Sequence, residues 1–251
     1  MARTGQDLIQ DLRVDLNEFV EGNWSDSTLL RYLERAAHKV ATVMRFSRQG
    51  YLEQVIDNTT ADFTVYGATY SPATSLTKVA GNKTITLPEN CVELRAVLPV
   101  SQDQRDNGVA FVLTTVDSPE YRNARRIQQT SVNRTYWCVL TNLTTLRIAP
   151  PLAEAINFEI QYVAMPQRLT LDTPVDGIPE VAYEAMLAYA QYLALKAIKH
   201  EDWVTSYEGW KTEKREAIEA LAQRTSDEPD IVAGVFDEVD FWEGLFFEYN
   251  Y

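Results

Sequence analysis

The sequence predicts an α+β protein, in which a four-helix bundle made from N- and C-terminal helices carries an inserted antiparallel β-sandwich or barrel domain. Three observations carry this. Apolar residues recur with helical spacing before residue 48, they alternate with polar residues between about 50 and 165, and helical spacing returns after Pro179. The expected organisation is 1–48 and 178–225 as the helical bundle, 49–177 as the inserted antiparallel β domain, and 226–251 as an acidic, aromatic C-terminal extension.

Leu8, Leu12, Leu16 and Phe19 mark one stripe of a first helix over residues 7 to 20, closed by Gly22. Asp7, Asp11 and Asp15 share another face, read as a solvated face with acids biased toward the positive end of the helix. Ser25 is placed to cap a second helix carrying Leu29, Leu30, Leu33, Ala36, Ala37, Val40, Val43 and Met44. The strand-like runs are YLEQVID, ADFTVY, KTITLP, VELRAVLPV, GVAFVLTTV, RTYWCVL, TTLRIAPP and INFEIQYV, separated by turn residues such as Gly81-Asn82 and Thr141-Asn142. After Pro179, Val181, Ala185, Met186, Tyr189, Tyr192 and Leu193 define a buried Ala-rich helix. A last helix runs from about Val204 to Ala222.

At 251 residues, with 45% hydrophobic and 24% charged residues, the chain is long enough to bury a sizeable core. Its formal net charge of −13 is uneven: eight carboxylates and no Lys or Arg follow Arg224. Such an acidic chain is a poor general binder of nucleic acid, which requires cations to displace counterions from phosphates. Cys91 and Cys138 form no CxxC pair, so a reduced, intracellular origin is the default and no zinc site is indicated. The start MARTGQDL has no apolar core of a signal peptide, and no run approaches the roughly 18 apolar residues of a membrane span.

No GxSxG elbow, GxGxxG or phosphate loop occurs, and the two histidines, His38 and His200, stand apart. His200, Glu201 and Asp202 are adjacent, but neighbours in sequence do not converge on a metal. No cofactor or metal is expected. The segment PEYRNARRIQQTSVNR, residues 119–134, stands out as basic. Arg122, Arg125, Arg126 and Arg134 against Glu120 suit nucleic-acid phosphates, an acidic partner, or a solvated loop between two strands.

Taken in order, WSDSTLLRYLERAAHKVA, ITLPENCVEL, LRIAPP, YVAMPQRLTLDTPV and IPEVAYEAMLAYAQYLALKA resemble the head-to-tail adaptor (connector) proteins of short-tailed bacteriophages. The likeness covers most of residues 1–222 and rests on the order of the segments, since they are packing and turn patterns. The resemblance implies a structural virion protein, not an enzyme, that assembles in the host cytoplasm. It implies a homo-oligomeric ring, usually of twelve copies, beneath the portal protein. The ring seats the tail or nozzle protein and surrounds the path of double-stranded DNA.

Phe236, Phe241, Trp242, Phe246, Phe247, Tyr249 and Tyr251 then read as anchors for the portal, because interface energy concentrates on aromatic side chains in a partner's pocket. The competing reading folds the same rings back onto the protein's own core. Arg122, Arg125, Arg126 and Arg134 read as a basic loop facing the tail protein or the DNA. Two other readings stand beside this one. A β-sandwich carbohydrate- or ligand-binding module would use Tyr66, Tyr70, Tyr136 and Trp137 as platforms, and a hydrolase would be built on dispersed carboxylates.

Overall fold

In the computed structural model the described residues are 3–18, 22–46, 52–127, 135–172, 175 and 177–225. The chain is mixed α and β and divides into two compact units, Met1–Leu52 with Pro166–Tyr251, and Glu53–Met165.

The first unit holds α1 (Gly5–Asp15) and α2 (Asp26–Phe46), and, from the far end of the chain, two further long helices described below. Helix α1 opens with a capping box: Thr4 Oγ1 accepts from Asp7 N at 3.2 Å while Asp7 Oδ2 accepts from Thr4 N at 2.8 Å. These bonds hold the Asp7 carboxyl below its ordinary range. The helix stops well before Gly22. Asn17 takes a left-handed conformation (φ 53°), and Glu18 N donates to Arg13 O and Asn17 N to Val14 O, the double bond pattern of a helix terminator. Phe19, expected on the same stripe, lies outside the described residues. Ser25 caps α2, its Oγ accepting from Thr28 N at 3.3 Å.

Asp15 sits at the negative end of α1, opposite to the expected bias. Partial burial pushes its carboxyl up, with Glu184 and Asp11 adding to the shift. Because the folded value is raised, the charged form opposes folding once pH exceeds it; the relative stability is fully present below the ordinary 3.8 and is lost as pH rises through the folded value. Asp15→Asn should therefore raise the melting temperature at pH 7, and the gain should vanish in acid below that range. Equal gains at both pH values in a thermal melt would contradict this origin.

The second unit contains, in order, β1 (Glu53–Asp57), β2 (Phe63–Val65), β3 (Ala68–Tyr70), α3 (Pro72–Ser75), β4 (Thr77–Lys78), β5 (Thr84–Thr86), β6 (Cys91–Pro99), α4 (Gln102–Asp106), β7 (Ala110–Thr114), α5 (Pro119–Ala124), β8 (Thr135–Asn142), β9 (Thr145–Ala149) and β10 (Ile156–Ala164). In one sheet β10 is central. It pairs antiparallel with β1, with β4 and with β6. The second sheet has the order β5-β9-β8-β7. Both sheets feed one core, in which Ile56, Val97, Phe158 and Ile160 meet Ile85, Phe111, Tyr136, Cys138 and Leu146. Phe111 stacks on Tyr136 at 5.1 Å and meets Phe158 edge-on at 5.0 Å.

Two details depart from a purely antiparallel β domain. β7 and β8 run parallel, with Phe111 opposite Tyr136 and Leu113 opposite Cys138. A parallel pair needs a crossover of a dozen or more residues, and the segment carrying α5 supplies it. β2 and β3 form a separate two-stranded hairpin whose turn, Tyr66-Gly67, has φ of 49° and 85°. Both turn positions demand positive φ, which Gly67 adopts freely and Tyr66 only under strain.

The first unit resumes with a single 3-10 turn, Glu180–Ala182, followed by α6 (Tyr183–Ala197) and α7 (Trp203–Thr225). Helix α6 is the common neighbour: it packs against α1, α2 and α7, while α1 also packs on α2. Its Ala185, Ala190 and Ala194 are buried, and small side chains let neighbouring backbones approach. The N-terminus is tied in by Gln6 N donating to Leu171 O and Val175 N donating to Arg3 O. Gly5 is required there, because a Cβ would lie 2.1 Å from Thr170 O.

Candidate interaction surfaces

The basic segment is built upward from its cap. Ser118 Oγ accepts from Tyr121 N at 3.1 Å and Pro119 supplies a preset φ, so residues 119–124 form the short helix α5 where a loop was expected. Tyr121 and Ala124 are buried against Val139 and Ala149 of the second sheet, with Trp137 packed alongside. That contact turns Arg122, Arg125 and Arg126 outward, all exposed. Arg122 Nη2 pairs with Asp117 Oδ1 at 2.7 Å, and the Arg125 guanidinium lies 5.9 Å from the Tyr121 ring centroid. Arg134 lies outside the described residues.

Sequence reading missed Arg147. It is exposed, it registers opposite Val139, and it lies two residues before Ala149 on β9. Side chains of paired residues and of residues two apart share a face, so Arg147 occupies the face that α5 covers. Its alternation with Leu146 and Ile148 showed an outward residue; only the β8–β9 pairing shows which cations it joins.

A second surface lies along α6 and α7. Trp210 is fully buried, with Tyr189 and Tyr207 ring centroids 4.7 and 5.5 Å away, and Tyr192 packs on Tyr207 at 5.0 Å. Lys214 Nζ stands 4.7 Å from the Trp210 ring, Lys211 Nζ 4.9 Å from Tyr207 and Lys196 Nζ 5.3 Å from Tyr192. Trp210 is core and Trp203 is half-buried.

The remaining candidates have structural employment. Asp11 pairs with Arg3 at 2.9 Å. His200 follows the helix α6 terminator, where Lys199 has φ 54°, and its Nδ1 accepts from Asp202 N at 3.3 Å. His38 is half-buried on α2. Among the described residues, no three His, Cys, Asp or Glu side chains are grouped to hold a metal ion. Burial pushes the Cys91 thiol up to about 11 and the Cys138 thiol up to about 12, which keeps both protonated near neutrality. Tyr70 and Tyr136 belong to the β core, and Tyr70 Oη donates to Thr86 O at 2.7 Å, so they supply no platform with Tyr66 and Trp137. Phe236, Phe241, Trp242, Phe246, Phe247, Tyr249 and Tyr251 lie outside the described residues. Among the described residues no helix is long and apolar enough to cross a membrane.

The architecture is a helical unit interrupted by a β unit, with arginines exposed on α5 and β9. The model of the SU10 adaptor protein family matches residues 3–233, across both units, and the chain belongs to that family. It is a phage head–tail adaptor, a structural protein of the virion whose partners are portal and tail proteins. No curated protein matches the chain.

Proposed function

We propose that the protein assembles, after synthesis in the host cytoplasm, as a ring of twelve copies beneath the portal of a short-tailed phage, and that the ring seats the tail or nozzle and surrounds the DNA path. It performs no enzymatic step and uses no cofactor in this role. The helical unit is read as a four-helix bundle that packs against its neighbours in the ring, and the arginine-bearing β unit as the part turned toward the tail protein or the DNA. The family match across both units is the observation that supports this reading.

The acidic, aromatic residues 237–251 are the portal-docking segment of this reading. Rings interleaved with carboxylates suit a partner groove that offers apolar pockets and basic residues at its rim. Twelve equivalent contacts would offset, through avidity, the entropy lost as each segment docks.

Light scattering after size exclusion tests both parts. The full chain mixed with the portal ring of the same phage should join it in near-stoichiometric number, and the chain lacking residues 227–251 should not. Unchanged portal binding by the truncated chain would remove the docking role while leaving the adaptor assignment intact.

A further inference from the structure

We propose that the outer face of the second sheet, where Arg147 of β9 shares the surface with α5, binds the sugar–phosphate backbone of duplex DNA without regard to base sequence. This rests on the proposed ring around the DNA path, and it assigns the arginines to the DNA and not to the tail protein.

The charge of the chain is unevenly divided. Glu53–Met165 carries nine Lys or Arg against eleven Asp or Glu, so most of the formal −13 belongs to the rest of the sequence. Within this β unit the first sheet matches its arginines to acids: Arg95 pairs with Glu93 at 2.7 Å and Glu53 at 3.5 Å, and Arg105 with Glu159 at 3.3 Å. The second sheet is different. Arg122 is held by Asp117, but Arg125, Arg126 and Arg147 stand exposed, with Glu120 as the exposed acid of α5. Carboxylates farther away count for little, because salt screens exposed charges beyond about 10 Å at physiological strength.

Strand register adds hydroxyls to the same face. Thr84 of β5 lies opposite Arg147, and Thr86 lies opposite Thr145, so three threonines share the surface with the Arg147 guanidinium. Guanidinium and hydroxyl groups are the usual contacts to duplex phosphates, and such contacts position a protein without reading sequence. A protein partner would ask for an apolar centre to the contact. Here Trp137, Val139 and Ala149 already pack with Tyr121 and Ala124 of α5, which leaves Val116 and Ile127, flanking that helix, as exposed apolar side chains. The donors are also spread over a helix and two strands, an arrangement suited to a line of phosphates and not to a single ion.

The test is fluorescence anisotropy of labelled duplexes of two unrelated sequences, titrated with the full chain at several low salt concentrations. The two duplexes should bind alike, and log K should fall against log salt with a slope of about −3, the value for three phosphates neutralised. Arg125→Gln, Arg126→Gln and Arg147→Gln should each weaken both duplexes equally and reduce the slope by about 1. Lysine at the same three positions should preserve the slope, since it still meets a phosphate as a point charge, which separates lost charge from a damaged fold. Arg95→Gln, on the first sheet, should change nothing. No binding at the lowest salt, a slope indifferent to the three arginines, or a preference for one sequence would each overturn the proposal. So would a poly-glutamate peptide that displaces the duplex at equal charge, which would assign the face to an acidic protein. Joining of the wild-type chain to the portal ring is read separately, so failed DNA binding would leave the adaptor reading standing.

Discussion

Replacing Arg13 by alanine should lower the unfolding free energy by about 3–5 kcal/mol, as expected when one partner of a buried ion pair is removed. The side chain is 8% exposed and Glu18 is 9% exposed. Arg13 Nη1 donates to Glu18 Oε2 at 3.0 Å, and Nη2 to Trp24 O at 3.0 Å and Asp26 Oδ1 at 2.7 Å. The other Glu18 oxygen accepts from Asn23 N. One residue therefore does two jobs: its carbonyl accepts the Glu18 N–H that ends α1, and its guanidinium holds the entry to α2.

Alanine leaves the Glu18 carboxylate buried without a cation and the Trp24 carbonyl without its donor. Lysine keeps the charge but loses the planar fork that reaches three acceptors at once. Arg13→Met combined with Glu18→Gln should recover part of the loss, because no unpaired charge then remains buried. Urea denaturation measures all three. A loss under about 1 kcal/mol for Arg13→Ala would mean that water replaces the guanidinium, and would place this pair with exposed ones.

The same corner shows what sequence reading reaches. The stripe Leu8, Leu12 was legible because helical spacing is a local property, and both residues are fully buried. The end of α1 was not, since Asn17 rather than Gly22 adopts the left-handed conformation, and either residue type is chemically suited to do so. Each of the eight alternating runs contains a strand, whereas β3 and β4, three and two residues long, lie outside those runs. The hairpin turn was hidden as well, because Tyr66 occupies a position where Asn or Gly would have announced it. Parallel pairing of β7 with β8 is a long-range fact that alternation does not encode. The candidate face divides in the same way: Arg122, Arg125 and Arg126 were visible as a run of charge, while Arg147 joins them only through the β8–β9 register.

Trp210→Ala should destabilise the helical unit by about 3–5 kcal/mol, the range for truncating a large buried aromatic side chain. The ring is fully buried, packed between Tyr189 and Tyr207, with Lys39 Nζ from α2 5.7 Å from its centroid and Lys214 Nζ at 4.7 Å. Its Nε1 has no hydrogen-bond partner among the described residues. The side chain's contribution is thus packing and cation–π attraction, and not the indole N–H. Trp210→Phe, which keeps a ring and discards the N–H, should accordingly lose far less than alanine. That ordering is the decisive comparison in a denaturant titration, since phenylalanine as damaging as alanine would show that the indole N–H, or its full breadth, is what the site requires. Trp210 thus fixes α7, Trp203–Thr225, against α6 and α2.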